Sequence, residues 1–221
     1  MTSFPTIRVF QDLSIVVEGD STALRNTLIA GAKDCWHHDT EVESRVAAIG
    51  MESEKVLLAF RRDGDDTIPA AVVTLYPEGT SGFKVTNIVP SETYSLTHLQ
   101  YNMILNDFVA KVVRVAAPDC QILLSKDHEG LTDWTSDEAA TALVSFSRAA
   151  NKSTGSSHPR DKERWLAFIV EHHKSHHKKL DAHMLARWLH EAEKWPEENA
   201  HELAIEFESA IELLTFYDEN L

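Results

Sequence analysis

The most chemically distinctive stretch of this sequence runs from Asn151 to His158 and is followed by Pro159. Seven of its eight residues carry a side chain that can hydrogen-bond or a positive charge, and Pro159 favours the start of a helix. The free N–H groups and the dipole at a helix start can hold a phosphate or a carboxylate. The candidate ligand-binding residues are Lys152, Ser153, Thr154, Ser156, His158 and Arg160.

Two other interpretations of this loop limit its chemistry. Lys152-Ser153-Thr154 resembles the end of a phosphate-binding P-loop, but the upstream Gly-x4-Gly and its strand are missing. We therefore exclude nucleotide hydrolysis on this motif. The alternative to an anion site is a polar loop between two helices, with serines that cap the second helix.

A second cluster holds four histidines on one predicted helix: His172, His173, His176 and His177. Residues four apart share a helix face, so His172 with His176, or His173 with His177, could grip one metal ion. A zinc protease would need glutamate directly after the first histidine, whereas this run is His-His-Lys-Ser-His-His. The neighbouring lysines would repel a cation, so the pattern favours a solvated helix end and no metal site.

The segment Cys35-Trp36-His37-His38-Asp39 is the third candidate. Cysteine, histidine and aspartate are all metal ligands, and a cysteine with a histidine could form a nucleophile and its base. Because the sequence lacks a Cys-x-x-Cys pair, a closed structural zinc site is not indicated. The spacing favours a half-buried cysteine at a helix end.

Charge is strongly polarised along the chain, whose formal net charge is -14. Residues 148–187 carry +5, whereas residues 191–221 carry -9. Such an acidic protein is disfavoured as a general binder of nucleic acid or anionic membrane, and it is suited to fast encounter with a basic protein. The candidate partner-binding residues, all on the last predicted helix, are Glu197, Glu198, Glu202, Glu206 and Glu208. Nucleic acid could bind only through the basic segment, at Arg160, Lys162, Arg164, Lys174, Lys178 and Lys179.

The elements that must position these residues fall into two groups. Residues 1–127 predict an α+β domain of order β-α-β-β-β-α-β, with a mixed or antiparallel sheet and two helices on one face. Strands are expected within residues 7–17, 55–62, 70–76, 82–89 and 120–125, and helices from about residue 22 and over 96–116.

A change to helical periodicity follows residue 135, after a predicted linker over 126–135. Residues 136–221 predict a second domain, a bundle of about four helices. These helices are expected over about 136–150, 159–177, 180–193 and 196–217.

The order of elements around Asn87-Ile88-Val89-Pro90 resembles that of acyl-CoA-dependent N-acetyltransferases, in which a strand leads to a helix start that receives a pyrophosphate. The resemblance covers element order alone. The glycine-rich turn of that family is replaced here by Pro90-Ser-Glu-Thr-Tyr-Ser-Leu-Thr97, and Glu92 would repel phosphate. We expect no cofactor on this basis.

Composition restricts the class of protein further. The 221 residues are 43% hydrophobic and 25% charged, as in ordinary globular proteins. No apolar run predicts a membrane span, and residues 1–18 do not resemble a secretory signal. Two cysteines fit a reducing compartment, so we expect a cytoplasmic protein.

No sequence motif identifies this protein as an enzyme. Our first hypothesis is a non-catalytic acidic interaction protein, of the antitoxin, immunity or regulatory-partner type, that binds a basic protein partner. The alternative is an anion- or nucleotide-ligand-binding protein, or an enzyme, that uses the 151–160 loop at the domain interface with His158 as acid or base. A nucleic-acid-binding module is the third hypothesis.

Overall fold

A computed structural model describes residues 4–48, 57–92, 95–155, 158–175 and 179–220. It confirms the predicted α+β class, with an antiparallel sheet followed by C-terminal helices. The described residues form two compact units. The sheet unit is Arg8–Asp127, and the helical unit consists of residues 4–7 with 128–220.

The strands and helices of the described residues have the following bounds. The strands are β1 (Thr6–Arg8), β2 (Leu13–Val16), β3 (Trp36–His38), β4 (Leu58–Arg62), β5 (Ala71–Glu78), β6 (Gly82–Pro90), β7 (Gln121–Leu124) and β8 (His128–Gly130). The helices are α1 (Ser21–Gly31), α2 (Thr40–Ala48), α3 (His98–Phe108), α4 (Arg114–Ala116), α5 (Leu131–Trp134), α6 (Asp137–Ala149), α7 (Pro159–Lys174), α8 (Ala182–Arg187) and α9 (Glu197–Asn220). The π-helical segments Val109–Val113 and Trp188–Ala192 continue α3 and α8, and Lys152–Thr154 is a 3-10 turn.

The sheet unit contains an antiparallel sheet in which the described strands have the order β3-β4-β5-β6-β2-β7. Strands β4, β5 and β6 correspond to the strands predicted within residues 55–62, 70–76 and 82–89, and they form an antiparallel meander. Alternate side chains, such as Val73 and Leu75 on β5, point into the core. Helices α1 and α3 cover this face with Leu28, Ile104 and Phe108.

Local signals define the ends of these helices. Asp20 caps α1 by accepting a hydrogen bond from the Thr22 N–H. Thr97 and Gln100 form a capping box at the start of α3, so their side chains satisfy the backbone there. The side chains of Thr97 and Gln100 therefore already accept from two backbone N–H groups at the start of α3.

A buried charge network ties β4 to α3 in the sheet unit. The side chain of Arg62 is fully buried, and its Nε donates to Asp107 Oδ2 over 2.9 Å. The remaining guanidinium nitrogens donate to the carbonyls of Asp63 and Ile68 and to the Asp65 carboxylate. Burial raises the pKa of Asp107, but hydrogen bonds from Lys111, Arg62 and Trp36 outweigh it and leave this pKa below its ordinary value.

This network predicts that the folded protein becomes less stable at acid pH. Hydrogen bonds from Arg62 and Thr67 hold the pKa of Asp65 well below its ordinary value of 3.8, and the pKa of Asp107 is also lowered. A lowered folded-state pKa contributes stability above the unfolded-state value, and this is lost as the pH falls through the folded-state value. The urea midpoint of the wild type should therefore fall below about pH 4.

The Asp107→Asn variant is the control for this prediction. It should be less stable than the wild type at about pH 7, and the difference between their urea midpoints should narrow below about pH 4. A difference that stays constant between about pH 7 and about pH 3 would show that Asp107 does not carry the effect.

The helical unit is built around aromatic side chains. Trp165, Trp188 and Trp195 are each at most 1% exposed. The rings of Phe146 and Trp195 stack with centroids 5.4 Å apart, and those of Phe168 and Phe207 stack at 5.6 Å. The Phe146 ring also lies 5.0 Å from that of Trp165, so these contacts join α6, α7, α9 and the segment before α9 around one core.

Two local predictions were wrong. Residues 126–135 are not a linker, because they contain β8 and α5 and bury Leu131 and Trp134. The Trp134 indole donates to Glu129 over 2.6 Å, which fixes this segment. Cys35 does not lie at a helix end, since α1 ends at Gly31 and Cys35 comes directly before β3. Strand β3 was missed because its three residues are held by pairing with β4.

Candidate functional site

The structure gives Lys152 of the predicted anion loop an internal role. Its Nζ donates to the carbonyl oxygen of Glu193, lies 3.3 Å from the Glu193 carboxylate, and sits 5.9 Å from the centre of the Trp195 ring. Ser147 donates to the same carboxylate over 2.7 Å and accepts from the Trp195 indole over 2.8 Å. Lys152 is thus part of a network that joins its loop to the segment after α8.

Most other polar side chains of this loop form hydrogen bonds with groups of the loop itself. The Asn151 side chain accepts from the backbone and the hydroxyl of Ser153. Thr154 Oγ1 donates to the Asn151 carbonyl. His158 Nδ1 accepts from the Arg160 N–H, so His158 caps α7. The Arg160 side chain is exposed, and Ser156 lies outside the described residues.

The five candidate glutamates lie on α9, and the structure separates them into two groups. Glu197 and Glu208 line a groove between α9 and the α8 segment. Glu198 and Glu202 are exposed outside that groove, and Glu206 forms an ion pair with Lys162 of α7. The structure therefore brings two of the five predicted residues to one concave surface.

This surface, here called the acidic groove, has a volume of about 750 Å³. Ala182, Ala186, Ala204 and Ile205 supply apolar lining. Its polar lining consists of Asp181, His183, Arg187, His190, Glu191, Glu197, His201 and Glu208. Four carboxylates and one guanidinium give the groove a formal charge of -3 when its histidines are neutral.

Internal contacts neutralise only part of this charge. Arg187 Nε donates to Glu191 Oε1 over 2.8 Å, so this pair cancels within one wall. Asp181 accepts from the Met184 N–H and caps α8. Within the described part of the chain, Glu197 and Glu208 have no ion pair. The opposite wall thus presents two carboxylates to solvent.

The histidines of the acidic groove and its α8 wall were not predicted from the sequence. The signal was present, because Glu197, His201 and Glu208 fall at helical spacing on one face of α9. His183 and Arg187, four apart, do the same on α8. Spacing defines each face separately, however, and it does not reveal that the two faces meet.

The basic segment offers less free charge than its sequence indicates. Arg164 pairs with Asp161 over 2.9 Å, Lys174 pairs with Glu171 over 3.0 Å, and Lys162 pairs with Glu206. Lys179 is exposed, and Lys178 lies outside the described residues. These ion pairs weaken the nucleic-acid hypothesis, since phosphate contacts require available cations.

The histidine cluster is divided by its helix. His172 is 5% exposed and its Nδ1 lies 2.7 Å from the Thr135 hydroxyl, whereas His173 lies 2.7 Å from Asp218. His176 and His177 lie outside the described residues. His172 is therefore a core residue rather than part of a solvated helix end.

The Cys35 segment forms pairwise contacts. Cys35 Sγ lies 3.7 Å from Lys111 Nζ. His37 lies 2.9 Å from Asp63, and His38 lies 2.7 Å from Glu43. Each imidazole thus has its own carboxylate partner, and the side-chain contact of the thiol is with an ammonium group.

Two features are absent from the described residues. They contain no group of three or more histidine, cysteine, aspartate or glutamate side chains placed to hold a metal ion. Among them, no helix is both long enough and apolar enough to cross a membrane.

Comparison of the chain with protein-family models, with curated proteins and with solved structures gave no match.

Proposed function

We propose that this protein is a non-catalytic, cytoplasmic interaction protein of the antitoxin, immunity or regulatory-partner type, and that it binds a basic partner protein. The observation that carries the proposal is the acidic groove, where Glu197 and Glu208 present carboxylates beside an apolar lining. A lysine or arginine side chain suits this surface, because its stem is apolar and its head is charged.

Electrostatics support the same partner. The whole chain carries -14 and the groove adds a local charge of -3. Opposite charges steer association and raise its rate, and this effect decreases with ionic strength. Binding should therefore be fastest at low salt and should depend on the groove rather than on acidic residues in general.

The alternative, an anion-binding protein or enzyme that uses residues 151–160, has weaker support. The ammonium group of Lys152 already contacts the carbonyl and the carboxylate of Glu193. His158 uses Nδ1 to cap α7. An anion would have to compete with these contacts.

Reversal of the groove charge tests the proposal. The tagged wild type should retain a basic protein in stoichiometric amount from its source cells, and retention should fall as salt is raised. With that protein purified, the Glu197→Lys/Glu208→Lys variant should bind it at least about tenfold more weakly, because each change removes an attractive charge and adds a repulsive one.

The matched control is Glu18→Lys/Glu78→Lys, which reverses the same number of carboxylates. Glu18 and Glu78 are exposed and lie in the sheet unit, the latter at the end of β5, so this variant changes the net charge equally without changing the groove. It should bind within about twofold of the wild type. Equal weakening by the groove variant and the control, or binding that does not respond to salt, would overturn the proposal.

A further inference from the structure

Helices α7 and α9 lie side by side and run in the same direction. Near the start of α7, Lys162 contacts Glu206, and near its end His173 lies 2.7 Å from Asp218. The sequence separation is 11 residues on α7 and 12 on α9. These nearly equal steps place corresponding turns of the two helices at about the same level, so the pair forms a ribbon.

Large apolar side chains are exposed on this ribbon. Leu166 and Val170 on α7 are 46% and 38% exposed. Leu213, Phe216 and Tyr217 on α9 are 68%, 65% and 58% exposed. We call these five residues the α7–α9 apolar face.

The exposure follows from the length of α9. Phe207 is the last of its buried residues, yet the helix continues to Asn220, about 20 Å farther at 1.5 Å per residue. Leu166 and Val170 are four apart on α7, on a side away from its buried Trp165 and Phe168. Clustered exposed apolar side chains mark an interaction surface more often than scattered ones do.

One exposed cation and one exposed carboxylate flank this face. Arg160 lies near the start of α7, and Glu202 lies one turn before Glu206, which pairs with Lys162, so Arg160 and Glu202 lie at a similar level of the ribbon. Arg160 and Glu202 are exposed, and neither has an ion pair within the described residues. Among the described residues, the α7 side of the ribbon thus offers an unpaired guanidinium, and the α9 side offers an unpaired carboxylate at about the same height.

A two-fold axis parallel to the ribbon would place α7 of one copy opposite α9 of the other. This brings Arg160 of each copy towards Glu202 of the other and covers both apolar faces at once. The other face-to-face arrangement, with the axis across the ribbon, places α7 against α7 and α9 against α9 in opposite directions, so Arg160 does not meet Glu202. We propose that the α7–α9 apolar face is the interface of a symmetric dimer of this chain.

Sedimentation equilibrium of the full chain tests the proposal. The wild type should show twice the 24.8 kDa mass of one chain at about 100 µM, where a dimer with a Kd of ~1 µM is nearly complete. Leu213→Glu/Tyr217→Glu should shift the dissociation constant at least about tenfold towards monomer. The control, Ile205→Glu, changes a residue that is 54% exposed on α9 but lines the acidic groove, and should remain dimeric.

Charge exchange tests the orientation. Arg160→Glu and Glu202→Arg should each dimerise more weakly than the wild type, and an equimolar mixture should recover association through the matched pair. A monomeric wild type at about 100 µM, or equal weakening by Ile205→Glu and the apolar-face variant, would overturn the dimer. Because the acidic groove and this face are separate surfaces, either proposal can fail while the other stands.

Discussion

Replacement of Arg62 by alanine is expected to destabilise the sheet unit by about 3–5 kcal/mol, because one partner of a buried ion pair is removed. Arg62 is fully buried, and Asp107 is only 10% exposed. The change leaves the carbonyls of Asp63 and Ile68 without the donor that Arg62 supplies. Lys111 and Trp36 still contact Asp107, so they compensate for part of the loss.

Hydrogen-exchange mass spectrometry is the appropriate measurement, because it reports each unit separately. Peptides from β4 and β5 should exchange faster in the variant. Arg61→Ala is the control, since Arg61 is the exposed neighbour on the same strand and should change stability by less than about 0.5 kcal/mol. Arg62→Lys should recover only part of the stability, because an ammonium cannot reproduce the planar fork. A loss below about 1 kcal/mol for Arg62→Ala would contradict the assigned role.

The second large effect is expected at Glu193, in the helical unit. Its carboxylate is 10% exposed, accepts from Ser147 and lies 3.3 Å from Lys152 Nζ. Glu193→Ala should cost about 2–3 kcal/mol, because a mostly buried hydroxyl and a partly buried ammonium lose their acceptor. The midpoint of urea unfolding, followed by tryptophan fluorescence, measures the change directly.

Lys152→Ala separates the two hypotheses for this loop. An anion-binding role predicts weaker anion binding with unchanged thermal stability. The contacts of Lys152 with Glu193 instead predict a loss of about 1–2 kcal/mol, since the side chain is 31% exposed and part of the interaction is screened. Arg148→Ala, at an exposed position of α6, should change stability by less than about 0.5 kcal/mol. Unchanged stability in Lys152→Ala would restore weight to the anion site.

Elements with a strong local pattern were predictable from the sequence. In strands β4 to β6, apolar runs or alternating apolar and polar residues lie between turn residues. Helix α9, which follows Pro196, carries apolar residues at helical spacing. Caps are equally local, since Asp20 and Thr97 bond to N–H groups two and three residues away. Hydrophobic periodicity and helix capping depend on residues that are close in sequence, so both can be recognised without knowledge of the tertiary structure.

Short elements depended on tertiary pairing. Strand β3 has three residues and exists through its ladder with β4, more than 20 residues later in the chain. Segment 126–135 has polar residues typical of a linker, yet the burial of Leu131 and Trp134 orders it. In both cases the stabilising contacts are made with residues that are distant in sequence, so no local sequence pattern indicates them.

The candidate sites show the same division. The sequence by itself determined the acidic character of α9 and the face that Glu197 shares with Glu208, because both follow from residue type and helical spacing. Only the tertiary structure placed that face against α8 to make the acidic groove. It also joined Lys152 to Glu193, 41 residues away, and Arg62 to Asp107, 45 residues away. Charge is a property of composition, whereas its neutralisation depends on which distant residues the fold brings within a few ångströms.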